Sequence, residues 1–276
     1  AVNAATGVVL VPPGNYKISS TITIGATGIR LVGDAGESLH DVGSQTGPVK
    51  FSWYGAAGGT MVSFASPTGV TAQIKSDMGC RGIMLDGRRI AGYGYKFQSI
   101  RKSFFENLFV LDVTTSAYYS VCGVTGVDYG ESADVQDCIW RSCQWRLIDV
   151  ASVQSANGFR VDGSSNANTS FNKFFNCLGQ TYNGMGWLLV NSDNNVFDQC
   201  RNITVSGTGK DFYLNGVSVS SVGAQNNTFN LCSWGSGVGA FTIAGTDSGF
   251  TAGTTNNIIT AVDTINGYSQ PLLGTG

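Results

Sequence analysis

The chain of 276 residues holds a single histidine, His40, and only 12% charged residues. A lone histidine in a glycine-rich stretch (Gly36 to Gly47) reads as a surface residue, so serine-nucleophile chemistry through a histidine base is not expected. Acids and bases are scattered, with no basic patch and no charge run, which argues against a nucleic-acid partner. No apolar stretch approaches the length of a membrane-spanning helix and no signal peptide is recognisable, so membrane insertion is not expected. Cysteine occurs seven times, but never as Cys-x-x-Cys. An odd count without that spacing supports neither a disulfide framework nor a zinc site. No acidic run has calcium-loop spacing, and no metal or cofactor is expected. Helix-forming stretches are missing too. Glycine is abundant at 38 residues, and the short apolar runs are bounded by Gly, Asn, Ser and Thr, the punctuation of short strands and tight turns.

What is present is a phrase that returns. Asn172-x-Phe174-x-x-Cys177 is followed by Asn195-x-Phe197-x-x-Cys200, by Asn227-x-Phe229-x-x-Cys232, and in degraded form by Asn257-x-Ile259-x-x-Val262. Cys138-x-Trp140-x-x-Cys143 and Ser103-x-Phe105-x-x-Leu108 fit the same frame more loosely. Self-similarity at a spacing of a few tens of residues marks stacked repeats. The step from Cys177 to Cys200 is 23 residues, the length of one bare turn, and the longer steps carry inserted loops. A second strand signal lies between the phrases: Phe159-Arg160-Val161-Asp162-Gly163, Leu188-Leu189-Val190-Asn191, Phe212-Tyr213-Leu214-Asn215-Gly216 and Phe241-Thr242-Ile243-Ala244-Gly245, with Tyr95-Lys96-Phe97 as an earlier copy. Each turn therefore holds at least two period-2 strands, and stacking such turns builds a parallel β-helix. An immunoglobulin-like sandwich would not repeat one phrase at matching positions.

Stacking gives the odd residues a role. Equivalent residues of successive coils sit about 4.8 Å apart, so the recurring Phe and Cys are expected as interior columns and the recurring Asn as an amide ladder at a turn. The cysteines are then small buried hydrophobes. The residues between Asn and Phe point outward: Phe104, Ile139, Lys173, Val196, Thr228 and Ile258. This stripe is more apolar than a solvated face needs, and loops or another subunit are expected to cover it.

The chain opens Ala-Val-Asn-Ala-Ala-Thr-Gly, which reads as the remnant of an N-terminal capping helix with its Gly stop, shielding the open end of the first coil. Ala4-Ala-Thr-Gly-Val-Val-Leu-Val-Pro-Pro-Gly-Asn-Tyr16, followed by Ile29-Arg-Leu-Val-Gly-Asp34, resembles the opening of the pectate-lyase-like superfamily of right-handed parallel β-helices, which includes bacteriophage tailspike depolymerases. Gly82-Ile-Met-Leu-Asp86-Gly87 is similar to a phrase of their first full coil. The likeness covers the first ninety or so residues by motif and the rest by architecture. It implies an all-β, right-handed, single-stranded parallel β-helix, with extracellular polysaccharide as the substrate class and, for tailspikes, a homotrimer. One domain is expected over 1–276, with 1–34 as cap and first strands and 80–265 as repeated coils. The better-known active-site signatures of this architecture are missing: there is no Gly-His-Gly, no Asn-Thr-Asp and no Arg-x-Pro-x-x-Arg.

Glycosidic hydrolysis needs two carboxylates about 5–9.5 Å apart. The densest acidic stretch is the insertion Asp128-Tyr129-Gly130-Glu131-Ser-Ala-Asp134-Val-Gln-Asp137, and long loops on a rigid scaffold are where sites are placed. Asp128 and Glu131 are the candidate catalytic pair, with Tyr129 beside them. A solvated acidic loop is the plain alternative. β-Elimination needs a base, a cation and often a tyrosine proton donor. Lys96, Arg160 and Tyr213, outward in the second strand column among Leu188 and Thr242, are the candidate substrate-binding residues for an acidic sugar. Arg and Lys stems covering strands would explain the same pattern. Arg141 and Arg146 stay ambiguous. Asp86-Gly-Arg88-Arg89 is a turn first and an anion site second, and Trp53-Tyr54 and Trp187 are sugar-contact or core aromatics. The expected function is cleavage of an extracellular polysaccharide, hydrolysis ahead of elimination. A non-catalytic carbohydrate-binding adhesin or virion spike segment is the rival.

Overall fold

A computed structural model describes residues 7–33, 49–65, 75–121, 135–147, 155–163, 169–205, 209–216, 224–234, 241–245, 257–260 and 263–264. The expected capping-helix tail, His40, and Asp128, Tyr129, Glu131 and Asp134 of the acidic insertion lie outside these residues. Among the described residues there is no helix, and every strand pairing is parallel. Each full coil lays one strand into each of three long sheets, and five of the described coils add a two-residue strand to a fourth. Sheet A has nine strands, from Val8–Val11 through Phe104–Glu106 and Lys173–Phe175 to Ile258–Thr260. Sheet B has nine, from Gly14–Ile18 to Asp263–Thr264, and sheet C eight, from Ile22–Ile24 to Phe241–Gly245. The short sheet D, from Lys75–Ser76 to Ser192–Asp193, has five. The chain is a right-handed parallel β-helix.

The repeated phrase is the sheet A strand with its two corners. Lys102, Asp137, Phe171, Asn194 and Asn226 precede the phrase in the left-handed region, and Asn107, Ser142, Asn176, Gln199 and Leu231 end it there, with φ between 48° and 56°. That conformation costs an ordinary L residue about 1–2 kcal/mol, while Asn and Asp tolerate it. The Asn-rich punctuation is thus the chemistry of the corners. Lys102, Ser142 and Gln199 are polar exceptions, and Phe171 and Leu231 are apolar ones, both held left-handed and both 53% exposed.

Inside the first corner runs the amide ladder. The backbone N–H of Asn172 donates to Asn195 Oδ1 (3.1 Å), that of Asn195 to Asn227 Oδ1 (3.1 Å) and that of Asn227 to Asn257 Oδ1 (2.9 Å). Each Nδ2 reaches back to a carbonyl of the preceding coil, Val135, Thr169, Ser192 or Ala224. Cys138 and Ser103 continue the ladder toward the N-terminus: Asn172 Oδ1 accepts from Cys138 N, Ser103 Oγ accepts from Met78 N, and the Cys138 thiol lies 3.3 Å from Gln136 O and 3.9 Å from Ile100 O of the coil before. At the second corner the thiols of Cys143, Cys177, Cys200 and Cys232 donate to the carbonyls of Phe105, Trp140, Phe174 and Phe197, each one coil earlier. All six described cysteines are buried and free. Burial pushes the Cys80 and Cys138 thiols up to about 12, so they stay protonated.

Two aromatic columns fill the core. Phe105, Trp140, Phe174, Phe197 and Phe229 stack from sheet A at centroid steps of 5.5, 4.8, 4.6 and 4.8 Å. Tyr95, Tyr118, Phe159, Trp187 and Phe212 stack from sheet C. They meet edge-on, as at Phe159–Phe174 (5.0 Å) and Trp187–Phe197 (5.2 Å), the arrangement that ring quadrupoles favour. On sheet B, Trp145 fills the interior at the expense of its neighbours, since a Cβ at Gly158 or Gly179 would collide with its indole.

Replacing Asn195 by Ala leaves the Asn172 N–H and the Thr169 carbonyl buried without that partner, and a loss of about 2–4 kcal/mol is expected in denaturant titrations. Phe171→Asn, which only relieves a strained corner, is expected to gain up to about 1 kcal/mol in the same assay.

Candidate active face on sheet C

The outward residues of sheet C form one lateral column: Ser63, Lys96, Tyr119, Arg160, Leu188 and Tyr213 are neighbours in successive coils. Three of the residues singled out from the sequence, Lys96, Arg160 and Tyr213, therefore lie on one face, half-buried. Tyr119 was missed. Its strand, Ser116–Val121, carries buried Ser120 at an inward position where the other copies have an apolar residue, so the period-2 pattern did not align it. It completes a cluster with Arg160, Asp162 and Tyr93.

Arg160 and Asp162 are two apart on one strand and so project to the same side. Arg160 Nε lies 3.0 Å from Asp162 Oδ1 and 2.8 Å from Oδ2, and Nη2 lies 2.7 Å from Oδ2. The Tyr119 hydroxyl donates to the same Oδ2 at 3.2 Å. The guanidinium sits 5.2 Å from the Tyr119 ring centroid, and Tyr93 stacks on the other tyrosine at 5.2 Å. Burial first, and then the Asp162 carboxylate, push the Tyr119 phenol far up, so it holds its proton as a donor. Burial works against the Arg160 charge, but the hydrogen bonds and charge of Asp162 outweigh it and raise its pKa. Lys96 is different. Burial lowers its pKa, and among the described residues no carboxylate pairs with it.

The acidic insertion is attached to this face. It leaves sheet C after Val121, whose lateral neighbours are Gln98 and Asp162, and rejoins the coil at Val135. Asp128, Tyr129 and Glu131 themselves lie outside the described residues. Within the sheet C strands Asp162 is the one carboxylate among the described residues, and it is committed to Arg160 and Tyr119. A carboxylate pair on this face would need a partner from the insertion.

The other candidates sort by burial. Trp53 and Trp187, at 2% and 0% exposure, are core residues, while Tyr54 is 47% exposed. Arg141 faces outward from sheet A, 3.8 Å from Glu106, which also meets Arg81 at 3.5 Å; exposed pairs of this kind contribute little. Arg146 is lateral to Leu111 on sheet B, away from the column. Among the described residues no cluster of three His, Cys, Asp or Glu side chains could hold a metal ion, and no helix is long and apolar enough to cross a membrane.

No sequence-family model and no curated protein matches the chain. Solved structures do match by shape. The tailspike protein gp49 of Acinetobacter baumannii bacteriophage Fri1, a capsular polysaccharide depolymerase, superposes with a TM-score of 0.58 at 13% identity over 95% of this chain and 46% of its own. ORF18 of Geobacillus virus E2 gives 0.50 at 17% over 95% and 55%, and pectin methylesterase from Aspergillus niger gives 0.51 at 10% over 96% and 79%. The chain thus spans about half the length of the two phage proteins. At these identities the likeness is one of fold.

Asp162→Asn removes the negative charge that opposes Tyr119 ionisation. The Tyr119 phenol is then expected to titrate at lower pH in ultraviolet difference spectra, assigned against Tyr119→Phe, at a stability cost of about 1.5–3 kcal/mol for the lost charged hydrogen bonds. The linkage has a defined sign. The folded state holds the Tyr119 proton where the unfolded chain releases it, so stability falls as pH rises through and beyond the ordinary phenol range.

Proposed function

We propose that this chain, whose fold is that of the pectate-lyase-like superfamily of right-handed parallel β-helices, binds and cleaves an extracellular polysaccharide along the outer face of sheet C. The observation that carries the reading is Lys96: a half-buried ammonium without a carboxylate partner among the described residues, set in a column with Tyr119, Arg160 and Tyr213. An unpaired, partly desolvated cation is costly unless a ligand supplies the counter-charge. Tyrosine rings and a guanidinium held in place by Asp162 add stacking and donors suited to a sugar chain. The match to a capsular polysaccharide depolymerase supports the same substrate class.

Hydrolysis falls to Asp128 and Glu131, one protonating the leaving oxygen and the other acting as nucleophile or base, with Tyr129 contacting substrate. The insertion that carries them departs beside Asp162, at the edge of the column. Elimination is favoured by a different observation: burial lowers the pKa of Lys96, which suits a base, while its lateral neighbour Tyr119 keeps its proton for a leaving group. The protein works outside the cell, secreted or on a virion. The apolar outward stripe of sheet A, with Ile258 55% exposed, supports self-association as a homotrimer. Light scattering is then expected to give three times the 29.0 kDa chain mass; a monomer would remove this part of the proposal.

The deciding experiment incubates the purified protein with capsular, plant and algal polysaccharides, following new reducing ends and the ultraviolet absorbance of unsaturated uronates. Reducing ends without absorbance are the expected result, with Asp128→Asn and Glu131→Gln each lowering turnover about 10²–10⁴-fold. Absorbance that survives both amides but is lost in Lys96→Ala assigns elimination. Binding without cleavage leaves the adhesin, and neither binding nor cleavage removes the polysaccharide reading.

A further inference from the structure

Where sheet B turns toward sheet C, three successive coils bring two cations onto one exposed aromatic ring. Tyr54 follows the strand Val49–Trp53, and its N–H donates to Ile18 O of the previous coil at 2.7 Å. The Arg88 guanidinium carbon lies 4.1 Å from the Tyr54 ring centroid, and Lys17 Nζ lies 5.1 Å from it. The carboxylates nearby in the fold are taken. Asp86 pairs with Lys50 at 2.8 Å, and Asp112 lies 3.8 Å from Arg89. Among the described residues neither Lys17 nor Arg88 has a carboxylate partner.

The backbone here is as unusual as the charges. Arg88 and Arg89 are consecutive residues in the left-handed region, with φ of 53° and 60°. Gly or Asn would occupy it with less strain, yet arginine stands at both positions. The turn is pinned from both sides: Arg88 N–H donates to Asp86 Oδ1 at 3.0 Å, and Arg89 N–H donates to Asp112 O at 2.7 Å. A strained turn that presents a cation is the kind of feature a structure retains for binding.

We infer that Lys17, Tyr54 and Arg88 form an anion-binding subsite for the carboxylate or sulfate groups of a saccharide, separate from the sheet C column. A guanidinium lying on an aromatic face keeps its in-plane N–H donors directed outward, which is the geometry for two parallel hydrogen bonds to a planar or tetrahedral oxyanion. Lys17 adds a point charge on the same ring. The site's existence stands on this geometry alone, whereas the saccharide identity of its ligand rests on the polysaccharide reading above.

Arg88→Gly is the direct test, because glycine suits the left-handed turn and the variant is expected to fold. Calorimetry would compare it with the wild type on a trigalacturonate, on a sulfated galactan tetrasaccharide and on an uncharged xylotetraose. The expected result is a loss of about tenfold or more for the uronate or the sulfated sugar, with the uncharged sugar unaffected. Whichever anionic sugar responds names the natural group. If the wild type binds these sugars and Arg88→Gly binds them equally well, the subsite is refuted while the sheet C reading stands. If the wild type binds no sugar, the polysaccharide reading fails and inorganic sulfate decides the subsite. Saturable movement of the Arg88 Nε–H resonance, weakened about tenfold in Tyr54→Ala, upholds it, and no saturable movement overturns it.

Discussion

Each coil of this molecule must satisfy its backbone from the coils above and below, at a strand spacing of about 4.8 Å. That constraint places like residues over like. It turns an asparagine at one corner into a ladder of amides, and a cysteine at the next into a file of thiols, each donating to the coil before it. The corners are the difficult part, because there the sheet hydrogen bonds stop and the chain enters the left-handed region. The Asn side chain answers both needs at once, accepting from one backbone N–H and donating to a carbonyl one coil away. Cys138, whose thiol faces the Ile100 carbonyl where the other coils place an amide, shows that the donor at this position need not be an amide.

The same stacking explains why the interior was legible and the outer face was not. Interior positions repeat because each side chain packs on its equivalent, so Phe174, Phe197 and Phe229 recur in the sequence with their Asn and Cys companions. From that alignment the outward positions follow by alternation, which is how Lys96, Arg160 and Tyr213 could be placed in one column. Nothing obliges outward residues to resemble one another. Tyr119 stayed hidden because its coil has Ser120 inside, and the Arg160–Asp162 pair was invisible as a pair because it depends on rotamers and not on spacing. A third sheet was also unread, since the sheet B strands carry no phrase of their own. Aromatics misled in the other direction: Trp187 has the composition of a sugar platform and is a core ring stacked on Phe159 and Phe212.

Regularity also makes departures from it informative. A column of well-paired or apolar outward residues would cost the fold little. Instead sheet C sets a desolvated lysine, without a carboxylate partner among the described residues, beside a tyrosine, and the neighbouring corner holds two left-handed arginines. Each arrangement carries a local cost, in desolvation at Lys96 and in backbone strain at Arg88 and Arg89. Packing on a strand face is served as well by the stem of a paired residue, and the Arg160–Asp162 bridge two coils from Lys96 shows that this face can supply a carboxylate where one is needed. The absence of such a partner at Lys96, among the described residues, is therefore a property of the sequence and not of the architecture. In a scaffold where stability accumulates coil by coil through nearest-neighbour contacts, a local penalty is spread over many coils and is tolerated. That is the physical reason a β-helix can carry a charged, strained binding face without losing its fold, and the reason its sites are better sought where the stacking logic is broken than where it is obeyed.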